Sequence, residues 1–160
     1  MGNYGNIERD FVDRTLRLIH QYTAEVGRYE FPEQLNYTLL INCLLGLIVF
    51  PVEKVSKYIP NDRILSGLKE KHGFNSLTVG PNISTVRDLV TQLRNAVAHF
   101  SFKVISESEE NLIDKIEFYH SAKYGGLLIC EIRAGELLNF VSYYGYTLLS
   151  AIDLQQDANE

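Results

Sequence analysis

Within the run Arg94-Asn95-Ala96-Val97-Ala98-His99 a guanidinium and an imidazole stand five residues apart, and together they can cleave an RNA phosphodiester without a metal. RNA carries its own nucleophile in the 2′-hydroxyl, so a catalyst has only to move protons and bear charge. An imidazole removes or returns the proton, and a guanidinium stabilises charge on the phosphate. The spacing sets the geometry. Asn95 and His99 share one side of a helix, whereas Arg94 projects toward the edge of the apolar stripe and turns back only by virtue of its length. One helix therefore converges these groups imperfectly. Thr91, Asn95 and Ala98 are short side chains in the middle of this face, so a second copy of the helix can approach closely and bring another Arg94 and His99 alongside. A two-fold contact of that kind would double the site.

The helix that must carry these residues is expected over Thr85–Phe100, behind an N-cap at Ser84. Val86, Leu89, Val90, Leu93, Val97 and Phe100 fall on its core face, and Arg87, Asp88, Thr91, Gln92, Arg94, Asn95, Ala98 and His99 fall on the other. Before it, Ile7, Phe11, Leu18, Tyr22 and Val26 recur at helical spacing, widened by Val12, Leu16 and Ile19, and predict a helix from about Asn6 to Val26. Leu35–Phe50 is apolar nearly all round, as suits a helix enclosed by its neighbours. Pro51 is expected to open a separate segment, Val52–Tyr58, because a proline at a helix start gives up only an unused donor. A shorter helix over Asp62–Lys71 and a loop over Gly73–Ile83 follow. After the site helix, Phe102–Ser106, Leu112–His120 and Leu127–Arg133 read as strands of a small antiparallel sheet. Gly135–Leu154 closes the fold as a helix with Leu137, Leu138, Val141, Tyr144, Leu148 and Ile152 inward.

Composition narrows the function classes. With 15 Lys plus Arg against 20 Asp plus Glu in 160 residues, the net charge of −5 argues against a broad phosphate-binding surface, so any RNA contact must be local. Cys43 and Cys130 lie in apolar runs without a close Cys or His partner, which predicts reduced, buried thiols and no metal site. His20, His72 and His120 sit on different elements without metal-ligand spacing and read as structural or surface histidines. Tyr143, Tyr144 and Tyr146 suit core packing or a dimer contact better than base stacking. Glu107–Glu110 reads as a solvated hairpin tip, and Glu131 and Arg133 as members of cross-strand ion pairs. Leu39–Val52 is too short to span a bilayer, contains Asn42 and is broken by Pro51, and Met1–Asn6 lacks the basic and apolar regions of a signal peptide. The expected localisation is cytoplasmic, with no membrane partner.

The Arg94-Asn95-Ala96-Val97-Ala98-His99 run resembles the Arg, polar residue, spacer, His signature of HEPN domains (higher eukaryotes and prokaryotes nucleotide-binding). Tyr37-Thr38-Leu39-Leu40-Ile41-Asn42-Cys43-Leu44-Leu45-Gly46-Leu47-Ile48-Val49-Phe50-Pro51 is similar to the buried helix of a plasmid- and mobile-element-associated HEPN branch. The resemblance covers roughly Ile7 to Ile152. It implies a mainly α fold, a HEPN-like helical bundle with a small antiparallel β-sheet inserted before the C-terminal helix. Residues 1–154 would form that domain and residues 155–160 a flexible tail. It also implies a metal-independent endoribonuclease without cofactor, working as a homodimer on RNA and leaving 2′,3′-cyclic phosphate ends. His99 would act as general acid or base, Arg94 would hold the scissile phosphate and Asn95 would orient one of them. A toxin or defence effector of this kind would have an antitoxin or regulatory protein as a further partner. HEPN toxins silenced by nucleotidylation carry a tyrosine two residues after the histidine, where this chain has Ser101, so that mode of control is not expected. A non-catalytic HEPN-like module, binding nucleotide, RNA or protein through the same face, is the alternative. So is a merely solvated helix face, on which the dipole favours a histidine near the C-terminal end.

Overall fold

Asn6 opens the first helix, α1 (Ile7–Glu25): its backbone is extended and its side-chain oxygen accepts from the Arg9 N–H at 3.1 Å. A computed structural model describes residues 4–30, 33–55, 58–107, 113–121 and 126–157, the side chains of residues 36 and 49–55 excepted. Over these residues the chain is mainly helical, with five α-helices and a four-stranded antiparallel sheet whose last three strands directly precede the C-terminal helix. The expected hairpin tip at residues 108–110, the start of the second expected strand, residues 56–57 and the last three residues lie outside the described set. The chain divides into two compact units, Met1–Ile59 with Val141–Glu160, and Pro60–Phe140.

The first unit is helical and discontinuous in sequence. On α1 the buried residues are Val12, Leu16 and Ile19, while Ile7 and Leu18 are about half exposed, so the apolar stripe is narrower than its sequence period. The second helix, α2 (Asn36–Val55), buries Leu40, Cys43, Leu44, Leu47 and Ile48. Its described residues are therefore one-sided rather than enclosed: Thr38 and Asn42 are exposed, and Leu39, Asn42 and Gly46 border a cavity.

The helix does not restart at Pro51 but runs through it to Val55. Proline has no N–H, so the Leu47 carbonyl loses its usual donor four residues on. The Tyr144 hydroxyl, fully buried, approaches that carbonyl at 3.4 Å and supplies a donor in its place. Tyr144 belongs to the last helix, α5 (Ala134–Asp157), which ends three residues beyond Leu154. Within this unit α5 comes so near α1 that a Cβ on Gly145 would stand 2.7 Å from Leu16 Cδ2. Arg9 Nε donates to Asp153 at 2.6 Å, and His20 Nε2 and the Tyr146 hydroxyl are hydrogen-bonded at 2.6 Å. Tyr143 and Tyr144 are buried, in line with a packing role.

The second unit begins with α3 (Ser66–His72), closed by Gly73 at φ 73°, and β1 (Thr78–Val79), which lies inside the stretch expected to be loop. Then come α4 (Val86–Ala98), β2 (Phe102–Ile105), β3 (Lys115–Tyr119), β4 (Leu128–Arg133) and the start of α5. The sheet order is β1-β4-β3-β2, antiparallel throughout. β1 is missed by a period argument because two residues define no period. It holds its place because the Gly80 N–H donates to the Ile129 carbonyl at 2.8 Å, and a Cβ at Gly80 would lie 2.4 Å from the Leu128 carbonyl oxygen. Ile116 and Phe118 on β3 and Ile129, Cys130 and Ile132 on β4 are buried, as are Leu89, Val90, Leu93, Ala96 and Val97 on α4. Both cysteines are buried free thiols, and burial raises the pKa of each. No helix among the described residues is long and apolar enough to cross a membrane.

Candidate functional site

Side chains start α4. Thr85, one residue after the expected Ser84, is the N-cap: its hydroxyl oxygen accepts from the Asp88 N–H at 3.1 Å, and the Asp88 carboxylate accepts from the Thr85 N–H at 3.0 Å. This is a capping box, with aspartate in the place glutamate often takes. The same carboxylate accepts from the Ser84 N–H and hydroxyl at 3.3 and 3.2 Å. Hydrogen bonding from Thr85, followed by the Ser84 and Thr85 N–H groups, holds the Asp88 carboxyl below its ordinary range. Asp88 thus leaves the list of chemically available residues on this face.

The other end of α4 is closed by the backbone. The Ser101 N–H donates to the Ala96 carbonyl at 2.7 Å and the Phe100 N–H to the Val97 carbonyl at 3.1 Å. These two bonds make a Schellman ending, with His99 as C-cap and Phe100 in the left-handed position usually given to glycine. Phe100 has φ 51° and is 81% exposed, so it is not on the core face to which its spacing assigned it. A left-handed conformation costs an L-residue about 1–2 kcal/mol. The Phe100 ring lies over Phe102, 6.3 Å between centroids, and Phe102 continues to Phe118 at 6.0 Å.

The remaining face of α4 is open. Thr91, Asn95, Ala98 and His99 are exposed, and Gln92 and Arg94 are half-buried. At about 100° per residue, Asn95 lies about 40° from His99 around the helix and Arg94 about 140°. Gln92, Asn95 and His99 line a cleft of about 440 Å³, whose other wall carries His120, Ser121 and Leu127. The structure therefore brings Asn95 and His99 together, and Arg94 is not among the described residues lining that cleft.

His120, read from sequence as a structural or surface histidine, shares the cleft with His99. The signal was local. Burial alternates along β3 at Ile116 and Phe118, and the next position of that period is His120. What sequence spacing cannot show is that the end of β3 lies beside the end of α4, a matter of strand register. The opposite face of β3 holds charge: Lys115 Nζ donates to Glu131 at 3.1 Å and lies 3.5 Å from Glu117, to which the Tyr119 hydroxyl donates. Glu131 does form a cross-strand ion pair, with Lys115 as its partner.

A second cavity, about 540 Å³, lies in the first unit and is lined by Tyr4, Phe11, Arg14, Arg17, Asn42 and Cys43 among others. The Arg14 guanidinium is stacked on the Tyr4 ring at 4.8 Å. Among the described residues no three His, Cys, Asp or Glu side chains group as a metal site would need.

No curated protein and no solved structure matches the chain. A family model described as HEPN pEK499 p136 matches residues 1–155, nearly the whole sequence. With Asn95 and His99 of the Arg94–His99 run on an exposed helix face and the apolar helix of that branch formed as α2, the chain belongs to the HEPN pEK499 p136 family, the plasmid-associated HEPN branch it resembles.

Proposed function

We propose that the protein is a metal-independent endoribonuclease whose site is completed when two copies of α4 meet about a two-fold axis. The observation that carries this reading is the split on α4: Asn95 and His99 face a cleft that Arg94 does not line. Among the described residues, the cleft of one copy holds His99 without Arg94, and a partner helix laid across Thr91, Asn95 and Ala98 would supply Arg94 of the partner subunit. His99 then moves the proton, Arg94 holds the scissile phosphate and Asn95 orients one of them. Membership in a HEPN family supports a nucleotide- or RNA-related role, and HEPN domains commonly work as dimers. The net charge of −5 favours a substrate recognised by a local exposed loop over general RNA affinity. A toxin or defence role under an antitoxin or other regulator is the biological setting this chemistry suits.

The same split also favours one other reading, a non-catalytic module whose cleft binds nucleotide or RNA, because among the described residues one chain's cleft is lined by histidines and amides and by no arginine or lysine. The two are separated by incubating mixed cellular RNA in EDTA with wild type, Arg94→Ala, His99→Ala and an equal mixture of the two variants, after subunit exchange. The nuclease reading expects 2′,3′-cyclic phosphate ends from wild type and silence from each variant alone. In the mixture, half the dimers regain one complete site of two, or roughly a quarter of wild-type activity. Silence of wild type across RNA classes would move the assignment to the binding module.

A further inference from the structure

We infer that His120 is the second proton-transfer group of this site, paired within one chain with His99. The inference rests on the nuclease reading above and adds a catalytic residue to it. Three independent features of the second unit place His120 there. Period two along β3 puts it on the face that carries buried Ile116 and Phe118, the face toward α4. The Tyr119 N–H donates to the Ser101 carbonyl at 2.8 Å, which ties the residue before His120 to the residue two after His99. The His120 N–H donates to the Leu127 carbonyl at 2.9 Å, and the β3–β4 register shifts between Phe118 and Tyr119. The extra residue of that irregularity is Ile129 on β4, so the period of β3 runs unbroken to His120. The result is a cleft with an α4 wall of Gln92, Asn95 and His99 and a strand wall of His120, Ser121 and Leu127.

The reaction has two proton transfers for such groups to carry. As the 2′-oxygen attacks, the 2′-oxygen–phosphorus bond forms and the phosphorus–5′-oxygen bond breaks. One imidazole takes the proton from the 2′-hydroxyl. The other, entering as imidazolium, gives its proton to the departing 5′-oxygen. The products are a 2′,3′-cyclic phosphate and a 5′-hydroxyl, with no electron transfer and no further reactant. Attacking and leaving oxygens stand on opposite sides of the phosphorus, so histidines from two walls of one cleft divide the work as a single imidazole cannot.

The test uses RNA in which the 5′-bridging oxygen is replaced by sulfur, since a thiolate leaves without being protonated. On ordinary RNA, His120→Ala and His120→Gln are each expected to slow cleavage by about 10²-fold or more, as loss of a general acid or base does, with circular dichroism and thermal midpoint showing that at least one of them folds. On the sulfur-bridged substrate, either His99→Ala or the His120 variant returns close to the wild-type rate and the other stays slow, which names the acid. Wild-type rates from a folded His120 variant on ordinary RNA would overturn the assignment while leaving the nuclease reading in place, as would rescue of both variants or neither. A wild type silent on both substrates would bring down the nuclease reading and this inference together.

Discussion

The two ends of α4 are built from different materials. At the start, Thr85, Asp88 and Ser84 spend their polar side chains on one another and on backbone N–H groups. At the finish, the backbone N–H groups of His99, Phe100 and Ser101 close the last turn. A helix end capped by side chains has them committed to stability. One capped by backbone leaves them for chemistry, and His99 is the side chain so left.

If that contrast holds, the largest effect belongs to His99→Ala: loss of about 10²–10⁴-fold in RNA cleavage, with a urea-unfolding stability within about 0.5 kcal/mol of wild type. A clear loss of stability would show that His99 helps to close the helix after all. Next comes a contrast between mixtures. Arg94→Ala mixed with His120→Ala should recover activity like the Arg94→Ala and His99→Ala pair, whereas His99→Ala mixed with His120→Ala should stay silent, because those two histidines share a cleft within one chain. Recovery in the last mixture would place His120 in the other copy's site.

The N-terminal end gives the opposite kind of result. Asp88→Ala should cost about 1 kcal/mol in chemical denaturation while cleavage per folded molecule is unchanged. Because the folded state holds the Asp88 carboxyl below its ordinary value, the stability it contributes is present above the unfolded aspartate pKa of about 3.9 and is lost as pH falls through the folded value. The gap in melting temperature between wild type and Asp88→Ala should therefore close on acidification, and a gap that persists at low pH would refute the charge-dependent part of the cap. The smallest change expected is a gain. Phe100→Gly relieves the left-handed strain, less the entropy glycine adds to the unfolded chain and the contact with Phe102, and should raise the unfolding free energy by up to about 1 kcal/mol, read as a higher urea midpoint at unchanged slope.

The apolar period of α4 was legible because Val86, Leu89, Val90, Leu93 and Val97 repeat one stripe, and all five are buried. Phe100 was misplaced by extending that arithmetic past a helix that had already ended; no glycine marks the left-handed turn. Ser84 and Thr85 are both competent caps, and what separates them is Asp88, which stands three residues after Thr85. The continuation of α2 through Pro51 was invisible for another reason: the hydroxyl that answers the Leu47 carbonyl belongs to Tyr144, 97 residues away. His120 escaped notice because sequence spacing tests metal ligation along the chain, whereas its meeting with His99 depends on the register Phe102↔Phe118 and on the Tyr119–Ser101 bond that extends it.

The discontinuity of the first unit has a consequence in time. Its opening helices leave the ribosome long before Val141, and at about 5–20 residues per second the Leu47 carbonyl waits on the order of 5–20 s for Tyr144 to be made. Throughout that interval α2 is a newly made apolar helix lacking the partner from α5. Cleavage competence, too, would be acquired in a set order: the segment bearing Asn95, His99 and His120 emerges whole before the helices of the first unit receive their last neighbour.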